Sequence, residues 1–118
     1  MPASPRVFGA RPKKARVGGS ATLRDRSAAY ARQRERILTE HPLCAYCRID
    51  GLITPATILD HVLALSLGGT NDAANLCPAC KRCNDAKALD ERRCVKNGYR
   101  EREARMDPAM REWFRKAS

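Results

Sequence analysis

Apolar positions along the chain are sparse, and they fall into short runs with different periods. From Thr22 to Glu40 the apolar residues Tyr30, Ile37 and Leu38 form a thin helical stripe, and Arg24, Arg26, Arg32, Arg34 and Arg36 cover the rest. Thr22 with Asp25 three residues on has the form of a capping box. His41 precedes Pro42, which disfavours helix there, so the pattern predicts a helix over about Thr22–Glu40. Leu52–Pro55 reads as a short extended piece after the Asp50-Gly51 turn. Thr57–Leu63 alternates: Ile58, Asp60 and Val62 point one way, Leu59, His61 and Leu63 the other, which predicts a strand. Gly68-Gly69 signals a turn, and Asn75-Leu76 begins a very short return strand. A helix is expected over Lys81–Lys96 with Ala86, Leu89, Arg93 and Cys94 inward, stopped by Asn97-Gly98. Residues 99–106 are charged and show no period. Asp107-Pro108 opens a last helix, Asp as cap and Pro at its first position. Its Ala109, Met110, Trp113 and Phe114 read as a core or docking face. The class these elements imply is α+β, with residues 1–19 a disordered basic arm and residues 20–118 one domain around a core motif at 42–96.

Cysteine spacing changes this picture most. Cys44 and Cys47 form one Cys-x-x-Cys pair, and Cys80 and Cys83 another after residues 48–79. Four thiolates at such spacings suit one tetrahedral Zn²⁺, because each tight knuckle turns two sulfurs toward the same ion. Cys77 and Cys80 are also spaced Cys-x-x-Cys, so spacing alone leaves a site of Cys44, Cys47, Cys77 and Cys80 open. Tyr46, inside the first knuckle, reads as packing. A structural zinc, worth about 10–16 kcal/mol of apparent binding energy, compensates for the small core of a chain of 118 residues with only 5% aromatics. Three disulfides are the weaker alternative. The first residues, MPASPRVFGARPKKARVGG, are basic and lack an apolar signal-peptide run, which favours a reducing cytoplasm. No stretch approaches the length of a membrane span.

The net charge is +10, unevenly spread. Residues 1–43 carry ten Lys/Arg against three Asp/Glu, residues 44–80 one against three, and residues 81–118 twelve against seven. Two basic flanks around a slightly acidic centre suit a polyanion held against a cation-binding pocket.

The stretch LDHVLALSLGGTNDAANLCPACKRCNDAK, with the preceding Cys44–Cys47 pair, resembles the HNH endonucleases of the zinc-bound type. Their pattern runs Cys-x-x-Cys, Asp-His, Gly-Gly, Asn-Leu, Cys-x-x-Cys-His, Lys, and the likeness covers Pro42–Lys87. The resemblance implies a ββα-metal core, metal-dependent cleavage of double-stranded DNA, and a zinc held by Cys44, Cys47, Cys80 and Cys83. That set leaves Cys77 and Cys94 as buried free thiols. Asp60 corresponds to the acidic metal ligand and His61 to the general base. Asn75 corresponds to the asparagine that braces the hairpin loop so that His61 is aimed. Asn84 stands where the family has its last histidine, as in members that use asparagine as second ligand. Small stand-alone members often come from phages and act near genome packaging. The resemblance therefore extends to packaging proteins such as terminase as partners, in the cytoplasm of a bacterial host.

The residue types suit this chemistry. Phosphodiester hydrolysis needs a water deprotonated in line with the leaving oxygen, and an imidazole with its ordinary pKa of ~6.5 does so near neutrality. Asp60 offers a charged oxygen and Asn84 a neutral one, both hard donors for Mg²⁺ or Mn²⁺. Lys87, one helical turn beyond Asn84, is a candidate phosphate contact, with Arg34, Arg36, Lys81 and Arg82 as further nucleic-acid contacts. The rival reading is a non-catalytic zinc module that binds nucleic acid or docks on a packaging protein. The basic flanks predict DNA affinity that falls steeply as salt rises, because neutralised phosphates release counterions. A binding titration across salt concentrations checks this, and a flat dependence favours a protein partner.

Overall fold

The computed structural model describes residues 27–117. The basic arm at 1–19 and the Thr22/Asp25 capping box lie outside the described residues. Within them, helix α1 spans Ala28–Glu40, and the Ser27 side chain caps it by accepting from the Tyr30 amide. Its stripe is thin enough that no residue of α1 is fully buried. Tyr30, Ile37 and Leu38 are half-covered, and α1 lies against both strands of the hairpin.

A five-residue helix α2 (Ala45–Ile49) follows, then β1 (Ile58–His61), β2 (Leu76–Ala79), and the long helix α3 (Lys81–Lys96). The strands pair antiparallel with Asp60 opposite Cys77 and His61 opposite Leu76. The chain is therefore α+β, a two-stranded hairpin running into a helix. The predicted strand to Leu63 stops at His61 instead. Beyond it the Val62 amide still donates to the Asn75 carbonyl at 2.8 Å, and then the Leu63 amide donates to the Asn75 side-chain oxygen at 2.9 Å, so a side chain takes over from the ladder. The strand also loses its simple alternation. Leu59 and Asp60 are both buried, because α1 covers one side of β1 and α3 the other.

The hairpin connection turns at Gly68, whose φ of 104° is a conformation that side chains rarely adopt. At Gly69 the constraint is contact rather than φ. An added Cβ would lie 1.8 Å from the Leu63 carbonyl oxygen.

Helix α3 has the expected bounds but not the expected inner face. Cys83, Lys87 and Cys94 are buried, whereas Ala86 and Arg93 are exposed and Leu89 is 63% exposed. The helix packs on a thiol cluster and a buried carboxylate, so the side chains it buries are thiols and an ammonium. The pattern-free 99–106 stretch also corrects the expectation. It contains helix α4 (Glu101–Met106), whose single buried residue, Ala104, leaves no period to read. Its start is held by Glu103, which accepts from the Arg100 amide.

Helix α5 (Pro108–Ala117) closes the molecule. Its apolar face is core: Met110 is fully buried, and Trp113 packs against two clusters at once. One cluster contains the cysteines with Tyr46, whose ring Trp113 meets edge-on at 5.2 Å. The other contains Leu63, Leu67 and Cys94. No helix among the described residues is long and apolar enough to cross a membrane.

Asp107 caps α5 by accepting from the Met110 amide at 3.1 Å, and both its oxygens accept from Arg93. The Arg93 bonds hold its carboxyl below the ordinary 3.8. A depressed carboxyl stabilises fully above its unfolded value and loses that contribution as pH falls through the folded one. The contribution is therefore complete at neutral pH. Asp107→Ala should cost about 1–2 kcal/mol, and the deficit should be the same at about pH 6 and pH 8. Urea unfolding of the metal-loaded protein measures both.

Candidate active site and metal centre

The two knuckles share one construction. Cys44 caps α2 and Cys80 caps α3, each sulfur accepting from the amide of the second cysteine of its pair, Cys47 at 3.4 Å and Cys83 at 3.5 Å. A capping cysteine with its partner one turn on puts both sulfurs at the helix start. Folding brings the knuckles together. The sulfurs of Cys44, Cys47, Cys80 and Cys83 all lie within 4.8 Å of one another, buried, and none is in a disulfide. The Cys47 sulfur is 3.8 Å from Cys80 and 3.5 Å from Cys83. A tetrahedron with Zn–S bonds of ~2.3 Å has edges of about 3.8 Å, so the donor set fits Zn²⁺. This grouping decides between the two spacings, since Cys77 is outside it.

Burial pushes the Cys44 and Cys83 thiols up, while the Thr54 hydroxyl brings Cys47 down to about 7. Four thiolates cannot share such a space without a cation, and a bound metal would displace their protons. Arg82, expected to face nucleic acid, is exposed and donates to the Cys47 sulfur at 3.3 Å. Cys77 and Cys94 are buried free thiols, and burial pushes Cys77 to about 11.

Behind the cluster lies Asp60, 7% exposed. Its Oδ2 accepts from the Tyr46 hydroxyl at 2.6 Å and lies 3.1 Å from the Lys87 ammonium. Its Oδ1 accepts from the Asn84 amide at 3.0 Å. Burial and the neighbouring Asp60 charge push the Tyr46 phenol far up, so it stays a donor.

Lys87 was expected to reach a phosphate, and the structure corrects this. It is fully buried, and its ammonium is engaged by Asp60, by Glu91 and by the His61 carbonyl at 2.8 Å. Burial alone would lower its pKa, but the Asp60 and Glu91 charges overturn that and raise it, so Lys87 is charged. Glu91 is raised by burial and by Asp60, against the pull of Lys87.

His61, on the next residue of β1, uses Nε2 to meet the Asn71 side-chain oxygen at 2.7 Å. Its ring lies parallel to that of Tyr30, 6.3 Å between centroids. Alternation sends Asp60 and His61 to opposite sides of a regular strand. Here His61 is the last strand residue, and both residues border one cavity of about 430 Å³ with Asn84, Arg34 and Glu91. A larger cavity, about 610 Å³, lies between α1 and the first knuckle and has none of these groups in its wall.

Asn75 ties the hairpin loop to the strand end. Its amide nitrogen donates to the Leu63 and Thr70 carbonyls at 3.0 and 2.8 Å while its oxygen takes the Leu63 amide. Of the other expected nucleic-acid contacts, Arg34 borders the cavity and donates to the Thr57 carbonyl, Arg36 is exposed on α1, and exposed Lys81 pairs with Asp85. Tyr46, Asn71 and Glu91 were not found from the sequence. Glu91 had a signal, an acid four residues after Lys87 on one helix face. Tyr46 and Asn71 had none, since their partners come from other elements.

The family model described as HNH endonuclease matches residues 44–88. Comparison with curated proteins and with solved structures found no match.

The cluster geometry predicts one zinc per chain. Cys80→Ser or Cys83→Ser should lose it and unfold, whereas Cys77→Ser should keep both metal and fold. Metal content and thermal unfolding of the three variants test this. Retention of zinc by Cys83→Ser with loss from Cys77→Ser would place the ion elsewhere.

Proposed function

We propose that the HNH endonuclease domain in this chain, residues 44–88, makes it a divalent-metal-dependent deoxyribonuclease. It hydrolyses phosphodiester bonds of double-stranded DNA, as a nick or a double-strand cut, and leaves 3′-hydroxyl and 5′-phosphate ends. The observation that supports this reading is the single cavity bordered by Asp60, His61 and Asn84.

Asp60 and Asn84 are the residues that would hold Mg²⁺ or Mn²⁺. Tyr46 and Lys87 occupy Oδ2 of Asp60, which leaves Oδ1 for the ion. Asn84 presents its nitrogen to Oδ1 at 3.0 Å. A half-turn of the amide, which is nearly isosteric, would bring its oxygen there instead. Two oxygens that close repel unless a cation joins them, and both are hard donors. When bound, such an ion supplies positive charge to the non-bridging and departing oxygens of the phosphate.

His61 takes the proton of the attacking water. Asn75 braces the loop that positions His61. Lys87 holds Asp60 and the His61 backbone in place. Arg34, Arg36 and Lys81 supply positive charge along the DNA path, and Arg82 supports the zinc cluster through Cys47. The reading extends to phage DNA packaging beside a terminase in a bacterial cytoplasm. Its support there is the resemblance to small stand-alone phage members.

His61→Ala should lower cleavage roughly 10²–10⁴-fold while the protein still folds and binds DNA. Relaxation of supercoiled plasmid with Mg²⁺, against an EDTA control, measures it. Near-normal cutting by the variant removes His61 as the base, and DNA binding by the parent without any cutting favours a non-catalytic module. Asn84→Ala should need more Mg²⁺ and cut more slowly. Asn84→His should cut with a preference shifted toward Mn²⁺, Co²⁺ or Ni²⁺. A metal titration identical for Asn84→Ala and the parent would exclude Asn84 as a ligand.

A further inference from the structure

We infer that Asn71 is a positioning residue that fixes the tautomer and orientation of His61, so that Nδ1 is the nitrogen that accepts the water proton. The inference rests on the reading of His61 as general base and names what aims it.

The Asn71 carbonyl oxygen is 2.7 Å from His61 Nε2. An amide oxygen can only accept, so the ring proton is on Nε2 and the lone pair on Nδ1. Among the described residues no hydrogen bond occupies Nδ1. Tyr30 lies parallel to the imidazole, which restrains rotation of the ring about the Nε2 bond. Asn71 is in the hairpin loop that Asn75 fastens, through the bond to the neighbouring Thr70 carbonyl. The brace at Asn75 is therefore passed to the ring through the Asn71 side chain. When Nδ1 takes the proton from water, Nε2 keeps its own. The contact to Asn71 then becomes charge-assisted and shorter, so it strengthens as the base becomes charged. An interaction stronger in the charged state than in the neutral one lowers the barrier to forming that state.

The chain has two histidines, His41 and His61, so the imidazole resonances can be assigned directly. NMR of the zinc-loaded full chain should show the His61 proton on Nε2, protected from exchange with water. His41, exposed at the end of α1, serves as the reference. Asn71→Leu removes the acceptor at similar size and should lose that protected proton. Its kcat should fall about 10- to 100-fold with little change in KM. Asn71→Asp restores an acceptor and should restore the signal. A parent His61 protonated on Nδ1 overturns the inference whatever the variants do. A protected Nε2 proton that survives in Asn71→Leu overturns it as well. Failure of the general-base reading is a separate result, since it shows as cutting by His61→Ala while the NMR signature depends on no activity.

Discussion

Four sulfurs held within 4.8 Å of one another join parts of the chain that are otherwise far apart in sequence. Cys44 and Cys47 open the short helix α2, and Cys80 and Cys83 open the long helix α3. Between them run the hairpin and its loop, which carry Asp60, His61, Asn71 and Asn75. The hairpin has only two strands, and such a hairpin is marginal alone in water. Its ends must be held, and the cluster holds both. Thiols packed this closely and buried are unfavourable as anions unless a cation neutralises them, so a bound metal would link its own binding to folding in one equilibrium.

The second constraint is electrostatic, and it is built on the first. Cys80 caps the start of α3, and after Cys83 the residues Asn84, Lys87 and Glu91 follow along the face of the helix turned to β1. Asp60 thereby finds an amide at one oxygen and an ammonium with a phenol at the other. A buried carboxylate would be costly without these partners. The same ammonium donates to the His61 carbonyl, so one side chain fixes the acid and the backbone of the residue next to it. Replacing Lys87 by a neutral side chain would leave both carboxylates uncompensated.

Most elements were legible because local chemistry dictates them. Cys80 with Cys83 and Asn97-Gly98 mark the ends of α3, and Asp107-Pro108 marks the start of α5, as caps do. The strand and the return strand followed from alternation and from the Gly68-Gly69 turn. The inner face of α3 was misread because a periodicity argument looks for apolar residues inward, and here the buried side chains include an ammonium. Helix α4 was missed because it buries one alanine and otherwise satisfies itself with charges.

The sequence by itself determined the donor types, the α+β class and the Cys-x-x-Cys knuckles, since each is set by residues a few positions apart. Spacing left two overlapping pairs open, the resemblance selected Cys80 with Cys83, and the tertiary structure brings those two sulfurs to Cys44 and Cys47. It also turned Lys87 from an outward phosphate contact into a buried counter-ion, through the depth of the groove between α3 and β1. And it placed Asn71 on His61, because a loop side chain acquires its partner only when the hairpin closes and the turn at Gly69 brings backbone against backbone.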